Sequence, residues 1–206
     1  MNIEQCEGFQ KTIQDVLSSI NICEPTLQIS LFFVILNPLF WNTCSRLEYY
    51  TKVFTKLAGS RRIGCYFHAA TVFILGIVRS YFFEQAIRKQ VISQVLDNEF
   101  FQIVGVILAV LGQVLVLSSM YQLGITGTYN GDYFGILMKG RVYDFPYNVC
   151  DNPMYRGSTL SFLGVALFEG KAAGLLVTLF VHTMYEIAIK FEEPFTKKIY
   201  ATPKKD

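Results

Sequence analysis

Along this chain the apolar residues gather in four runs divided by polar stretches. The first, about Leu27–Trp41, reads LQISLFFVILNPLFW and is interrupted by Pro38. It is short for a bilayer crossing of ~20 residues, so it is read as a kinked or re-entrant segment. The second, about Ile63–Phe83, and the third, about Phe100–Tyr121, are long enough to cross. The fourth, about Ser158–Phe191, is too long for one crossing and carries Glu169, Gly170 and Lys171 in its middle. Charges at mid-bilayer are costly, about 3 kcal/mol each on insertion scales. Two short helices folded back at EGKAAG avoid that cost. One long tilted helix with its charges at an interface is the rival. Glu169 and Lys171 are taken as the only intramembrane charges.

Two segments break the pattern. Phe9, Ile13, Val16, Leu17 and Ile20 recur at helical spacing, so residues 9–20 of an N-terminal segment, 1–26, predict an amphipathic helix. It lies on a membrane surface or packs on the bundle. Glu4, Glu7 and Asp15 stand where a signal peptide needs basic residues. The second segment, Gln122–Gly157, is polar, rich in Gly, Tyr and Asp, and has no periodicity. It has too many aromatics and too little Ser, Glu and Lys for disorder, and it is read as a functional loop. The fold expected is therefore all-α: one domain over 1–206, a polytopic membrane helix bundle with a C-terminal helical hairpin and a polar Gly/Tyr-rich loop before it.

Composition agrees. The 206 residues are 52% hydrophobic, 15% aromatic and only 17% charged, where soluble domains carry about 25% charged residues. The net charge of +2, without a basic stripe, excludes a nucleic-acid partner. Arg46, Lys52, Lys56, Arg61 and Arg62 crowd the connection after the first run. The positive-inside rule makes that connection cytosolic. The 84–99 connection then lies on the far side, and 122–157 and the C-terminal lysines on the cytosolic side.

Familiar soluble-enzyme motifs are missing: there is no GxSxG, P-loop or HExxH. Cys6, Cys23, Cys44, Cys65 and Cys150 are scattered singly and are read as buried free thiols, neither a disulfide framework nor a metal site. His68 and His182 sit within apolar runs, where a histidine is either bonded to a neighbouring helix or catalytic. Glycines 124, 127, 131 and 135 do not form GxGxxG; they mark close helix packing or a loop around a ligand.

One membrane face stands out. The polar loop holds Asp132, Asp144, Asp151, Arg141 and Arg156, and CDNPMYRGSTLSF leads from it into the fourth run. Pro153 fixes the backbone, Gly157 permits a close approach, and Ser158 is a candidate helix cap. If the hairpin forms, Glu192 and Glu193 arrive at the same face, with Pro194 expected to end their helix just beyond them. The gathering is either a site or an interface belt, where Tyr, Arg and acids are ordinary.

Six elements carry a resemblance: NPLFWN, GQVLVLSSMYQLGITGTY, GDYFGIL, FPYN, DNPMYRGSTLSFLG and FEEPFTKKIY. Together, over about residues 27–200, they closely resemble the phospholipid methyltransferases, which make phosphatidylcholine from phosphatidylethanolamine. The likeness is greatest to the small fungal members, which methylate phosphatidyl-N-methylethanolamine and then the dimethyl lipid. Isoprenylcysteine carboxyl methyltransferases are similar at NPxYxG and EE, so another membrane substrate such as a prenylcysteine carboxylate is the alternative. A non-catalytic transporter or scaffold is the alternative outside enzymes.

The resemblance implies S-adenosylmethionine as methyl donor, no metal, and a phospholipid partner. It implies cofactor contacts at Glu192 and Glu193 and at a GxG element that falls on Val110, Leu111 and Gly112, where Val110 replaces the first glycine. It also implies the endoplasmic-reticulum membrane, with the mitochondrial membrane as a second location. The terminal TPKKD resembles a retrieval signal with its lysines displaced by one. The chemistry fits these residues. A carboxylate at the membrane edge attracts the sulfonium and ammonium of the donor. The lipid amine must lose a proton before attack, which a glutamate accepts or relays. Glu192, Glu193 and Tyr155 are the catalytic candidates. Tyr129, Asp132, Tyr133 and Arg156 are the substrate-binding candidates. Phe134, Tyr147 and Arg141 are further aromatic or phosphate contacts.

Overall fold

The computed structural model describes residues 3–201, with side chains from Gln10 onward. Over that range the chain is all-helical: α1 (Ile3–Ser18), α2 (Pro25–Thr51), α3 (Val53–Ala58), α4 (Arg61–Arg88), α5 (Glu99–Thr128), α6 (Pro153–Phe168) and α7 (Ala172–Ala201), with a 3-10 turn at Gly131–Phe134. Four helices, α2, α4, α5 and α7, are long and apolar enough to cross a bilayer. Their outward faces carry a belt of exposed large side chains, among them Phe32, Leu39, Phe67, Phe73, Phe100 and Leu117. This is a multi-pass membrane protein. Lys204, Lys205 and the whole of TPKKD lie outside the described residues.

The first apolar run is not a short re-entrant segment. It is part of α2, a 27-residue helix that continues through Pro38. Its polar half, from Asn42 to Glu48, is helical because those side chains find partners inside the bundle. Ser45 and Glu48 are wholly buried. The Glu48 carboxylate accepts from Phe54 N at 2.8 Å and from Thr55 Oγ1 at 2.5 Å, which satisfies free donors at the start of α3. At the other end, Glu24 caps α2 by accepting from Leu27 N at 2.9 Å, and Pro25 follows at the first helical position.

The fourth run forms two antiparallel helices, α6 and α7, joined by a turn at Glu169–Lys171. Gly170 takes φ +63° there, a conformation that strains a side-chain-bearing residue. α6 packs on α5 along four glycines, seven residues apart on each helix. A methyl group built on Gly112 would lie 2.5 Å from Gly157 O, and one on Gly105 would lie 2.6 Å from Gly164 O. The backbones touch there because nothing stands between them, as is usual where membrane helices cross closely.

Hydrogen bonds sort the connections into two ends. At one end Asn21 N donates to Gln90 Oε1, Lys171 Nζ to Gln90 O, and Ser93 N to Gly170 O. α1 is clamped there too: Ser93 Oγ donates to Asp15 at 2.5 Å. The Ser93 hydroxyl holds the Asp15 carboxyl below its ordinary value. α1 therefore packs on the bundle through Val16 while Ile13 and Leu17 remain exposed. At the opposite end stand Arg46, the α3 elbow, the polar loop and the last turns of α7. Tyr49, Tyr133, Phe134 and Ile199 form a small core there. The acidic doublet and the tyrosine-rich loop share this end.

Four further expectations are corrected. The irregular segment is narrower than 122–157. α5 runs on to Thr128 across a break at Gly124, whose φ is +62°, and α6 begins at Pro153. Ser158 consequently lies inside α6, and Asn152 is the residue before its first turn. Pro194 does not end α7, which continues to Ala201. Proline removes one helical donor and crowds the carbonyl four residues back. Arg46 braces the helix at this point: its Nη2 donates to Phe191 O at 2.9 Å, between the rings of Phe191 and Phe195. Finally, Cys65 is buried but Cys23 is exposed.

Candidate functional site

The Glu192 carboxylate is held from three sides. Its Oε1 accepts from Trp41 Nε1 at 2.5 Å and from Asn42 Nδ2 at 2.9 Å, both on α2. Its Oε2 accepts from Tyr155 Oη at 2.5 Å, on α6. Charge-assisted bonds of this kind are about twice as strong as neutral ones. Three helices thus fix one anion, and the proton of the Tyr155 phenol points at it. Neighbouring Glu193 is different. It faces outward, its side chain 48% exposed, with Lys197 at 3.8 Å and Asn152 Nδ2 donating at 3.1 Å.

Below Glu192 opens a cavity of about 820 Å³ between α2, α4, α5, α6 and α7. That is the size of a small-molecule site. Trp41, Tyr155 and Tyr185 form its upper wall. Their ring centroids lie 6.3 Å (Trp41–Tyr155), 6.4 Å (Trp41–Tyr185) and 4.8 Å (Tyr155–Tyr185) apart. The cavity opens on the flank of the bundle, because its α4 wall includes Phe73, Ile77 and Tyr81, all more than half exposed. Glu192 stands behind Trp41 and Tyr155 as seen from this space, reaching it through the Tyr155 hydroxyl.

Of the sequence candidates, Tyr155 and Tyr129 line the cavity. Tyr133 and Phe134 are fully buried, Tyr133 stacked on Phe195 at 5.0 Å. Asp132 is half-buried and accepts from Tyr133 N at 3.1 Å. Arg156 pairs with Glu186 at 2.8 Å, away from the cavity. Arg141 and Asp151 are exposed neighbours at 3.9 Å. Tyr147 is half-buried in the loop, and burial raises its phenol above the ordinary value. Val110 and Leu111 are exposed on the outer face of α5, at 57% and 51%, while Gly112 is buried against α6. None of the three lines the cavity. His68 does line it, and its Nε2 lies 3.2 Å from Ser45 Oγ, which accepts from Asn130 Nδ2.

Sequence reasoning missed Trp41, Asn42, Asn152 and Tyr185. Each is remote in sequence from the residue it serves, Trp41 and Asn42 by about 150 positions. A signal existed for two of them: Trp41 is the single tryptophan of the chain and adjoins Asn42 within NPLFWN. It also missed Arg79, which lies inside the second apolar run, so Glu169 and Lys171 are not the only intramembrane charges.

Fold and site together define a multi-pass membrane protein with an anchored carboxylate and an aromatic wall above a cavity that opens sideways. The comparisons give that class a family. The phospholipid methyltransferase profile matches residues 100–203. A phosphatidyl-N-methylethanolamine N-methyltransferase of Saccharomyces cerevisiae is 53% identical over 195 residues, covering 95% of both chains. One of the same name from Schizosaccharomyces pombe is 53% identical over 82% of this chain and 86% of its own. A phosphatidylethanolamine N-methyltransferase of Rattus norvegicus is 43% identical over 90% of this chain and 93% of its own. No solved structure matches. The chain belongs to the phospholipid methyltransferase family.

Proposed function

We propose that this chain transfers methyl groups from S-adenosylmethionine to phosphatidyl-N-methylethanolamine and then to the dimethyl lipid, giving phosphatidylcholine. The observation that carries the reading is the anchored Glu192 carboxylate, linked through Tyr155 to an aromatic-walled cavity open to lipid. Its end of the molecule is the basic one, so it faces the cytosol. The endoplasmic-reticulum membrane is the compartment, on the family's likeness.

The residues present fit the methyl donor at that end. When bound, S-adenosylmethionine supplies a methyl group on a positively charged sulfur. Glu193 is solvent-facing and its carboxylate attracts the donor's ammonium, with Asn152 beside it. Gly112 serves the α5–α6 contact on this reading, and Val110 and Leu111 face lipid. Glu192 works on the other reactant. Three donors hold it rigid, so Tyr155 Oη is fixed as the bridge between the carboxylate and the cavity. The lipid ammonium gives a proton to Tyr155 Oη as Tyr155 passes its own to Glu192, which leaves the nitrogen lone pair free for attack. The N–C bond then forms as the C–S bond breaks, and the electron pair stays on sulfur. The methylated cation rests against Trp41, Tyr155 and Tyr185, whose ring faces attract it increasingly as N–H donors are lost. Tyr129 is the loop's contact with the headgroup. Tyr133 and Asp132 act from behind, holding the 3-10 turn against α7.

This arrangement disfavours a carboxylate acceptor such as prenylcysteine, because Glu192 and Glu193 would repel it. The test uses purified protein in nanodiscs with labelled S-adenosylmethionine. Lipids bearing zero, one and two N-methyl groups are offered beside a prenylated cysteine. Label in phosphatidylcholine from the one- and two-methyl lipids is expected. Label only in the cysteine ester, or none in lipid, refutes the reading.

A further inference from the structure

Arg79 lies in the apolar part of α4, nine residues before its end at Arg88, or about 13 Å by helical rise. An ionised side chain at that depth is expensive, and in membrane proteins it normally marks a ligand or a charge partner. Arg79 lines the cavity. Its Nη1 donates to Tyr185 Oη at 2.5 Å, and its guanidinium lies 5.0 Å from the Phe162 ring and 5.9 Å from that of Tyr185. These groups shape it but do not neutralise it. Its Nε is buried with no hydrogen-bond partner. Two acids line the same cavity. Glu84 is held by Arg88 at 2.6 Å, and Glu169 is exposed at the α6–α7 turn. Among the described residues no carboxylate pairs with Arg79. A cation thus lines a lipid-accessible space, with one donor buried and unpartnered behind it, and lacks an anion.

We propose that Arg79 binds the phosphodiester of the phospholipid substrate, which enters sideways past Phe73, Ile77 and Tyr81. This rests on the function proposed above. The opposite wall suits the ester region of such a lipid: Gln113, Ser158 and Ser161 line it, with Gln113 Nε2 donating to Ser161 Oγ at 2.9 Å. The spacing suits the headgroup. Tyr185, which holds Arg79, and Glu192 are seven residues apart on α7, about 10 Å along its axis. One oxygen and two carbons separate phosphorus from nitrogen in the substrate, a shorter span. A phosphate on Arg79 therefore delivers the amine to the level of Trp41, Tyr155 and Tyr185, beneath Glu192, where the Tyr155 hydroxyl meets it. The methyl donor approaches from above. Its own carboxylate cannot serve Arg79 while its ammonium sits at Glu193, because one carbon carries both groups.

Arg79→Gln and Arg79→Lys are compared with wild type in nanodiscs, varying phosphatidyl-N-methylethanolamine and S-adenosylmethionine separately. A second substrate replaces the phosphodiester by a neutral ether: a diacylglycerol carrying a 2-(methylamino)ethyl group. For the phospholipid, Arg79→Gln should lower kcat/KM about a hundredfold, the usual scale for truncating one partner of a buried charge pair. Arg79→Lys should fall between, having charge without the planar fork. Donor affinity should be unchanged, and the neutral ether should be methylated at the same low rate by all three proteins. An unchanged KM for the phospholipid overturns the proposal. So does an equal loss on the ether, which marks a structural role, and so does a weakened donor affinity. If the Gln variant does not accumulate, the Lys variant carries the same comparison. Wild type inert toward both lipids would instead refute the proposed function.

Discussion

Replacing Glu192 by glutamine separates an anchored base from a structural carboxylate. The new side chain keeps the shape. Its oxygen can still accept from Trp41 and Asn42, so its amide nitrogen must take the place of Oε2 and donate to Tyr155 Oη. The opposite flip would set an N–H₂ against two donors. The phenol proton is then turned away, and no group at this position can take a proton. Stability should change little. Each bond falls from the charge-assisted range toward the neutral one, a loss of about 1 kcal/mol per bond. Relief from holding a desolvated charge offsets it. Turnover should fall much further, by about 10² to 10⁴, the scale of general-base catalysis. Glu193→Gln should show the reverse split. Its carboxylate is half exposed, where an ion pair is worth up to about 1 kcal/mol, so KM for S-adenosylmethionine should rise about fivefold with kcat nearly intact. Initial rates in nanodiscs at saturating lipid, with thermal unfolding as control, read both variants. If Glu192→Gln keeps kcat within threefold of wild type while remaining folded, the Tyr155–Glu192 relay is wrong.

Gly112→Ala would place a methyl 2.5 Å from Gly157 O and from Ser161 Oγ, forcing α5 and α6 apart. A loss of about 1 to 3 kcal/mol is expected, seen as a lower Tm, with donor affinity of the folded protein unchanged. Val110→Gly, on the lipid-facing side of α5, should leave donor affinity unchanged by calorimetry and cost under about 1 kcal/mol in helix propensity. The Asp15 carboxyl titrates below its unfolded value, so its clamp on Ser93 is in place above about pH 4 and is lost as pH falls through the folded value. Tm measured from pH 6 to pH 3 should fall less steeply in Asp15→Asn than in wild type.

Much of the bundle was legible because apolar length is a strong signal. α4 and α5 fall on long apolar runs without proline, and the hairpin between α6 and α7 follows from the cost of burying Glu169 and Lys171. α2 was underread for a physical reason. Hydropathy counts a polar residue as solvent-facing, yet Asn42, Ser45 and Glu48 turn inward to partners that the sequence does not display. Proline misled twice for a related reason. Pro38 and Pro194 each remove one helical bond, yet both helices run on, and at Pro194 a side chain from α2 braces the turn, Arg46 donating to Phe191 O. Arg79 escaped because a single charge barely moves the average over a long apolar run.

The site divides along the same line. The doublet at 192–193 was singled out because two acids after an apolar run defy local expectation, and because the family likeness points there. What the doublet does depends on residues that no local pattern joins to it. Adjacent positions on a helix are turned about 100° apart, so Glu192 and Glu193 cannot share one environment. One is drawn into α2 and α6 while the other stays in water. The reaction proposed above, joining a water-borne cation to a bilayer-held amine, would use such a division. The sequence presents the two acids as equals, and only the packing of Trp41 and Tyr155 against one of them breaks the equivalence. Gly112 makes the converse point. A glycine within a motif-like element invites a ligand, but a Cβ built there would lie 2.5 Å from a neighbouring backbone carbonyl, which already explains why no side chain is tolerated.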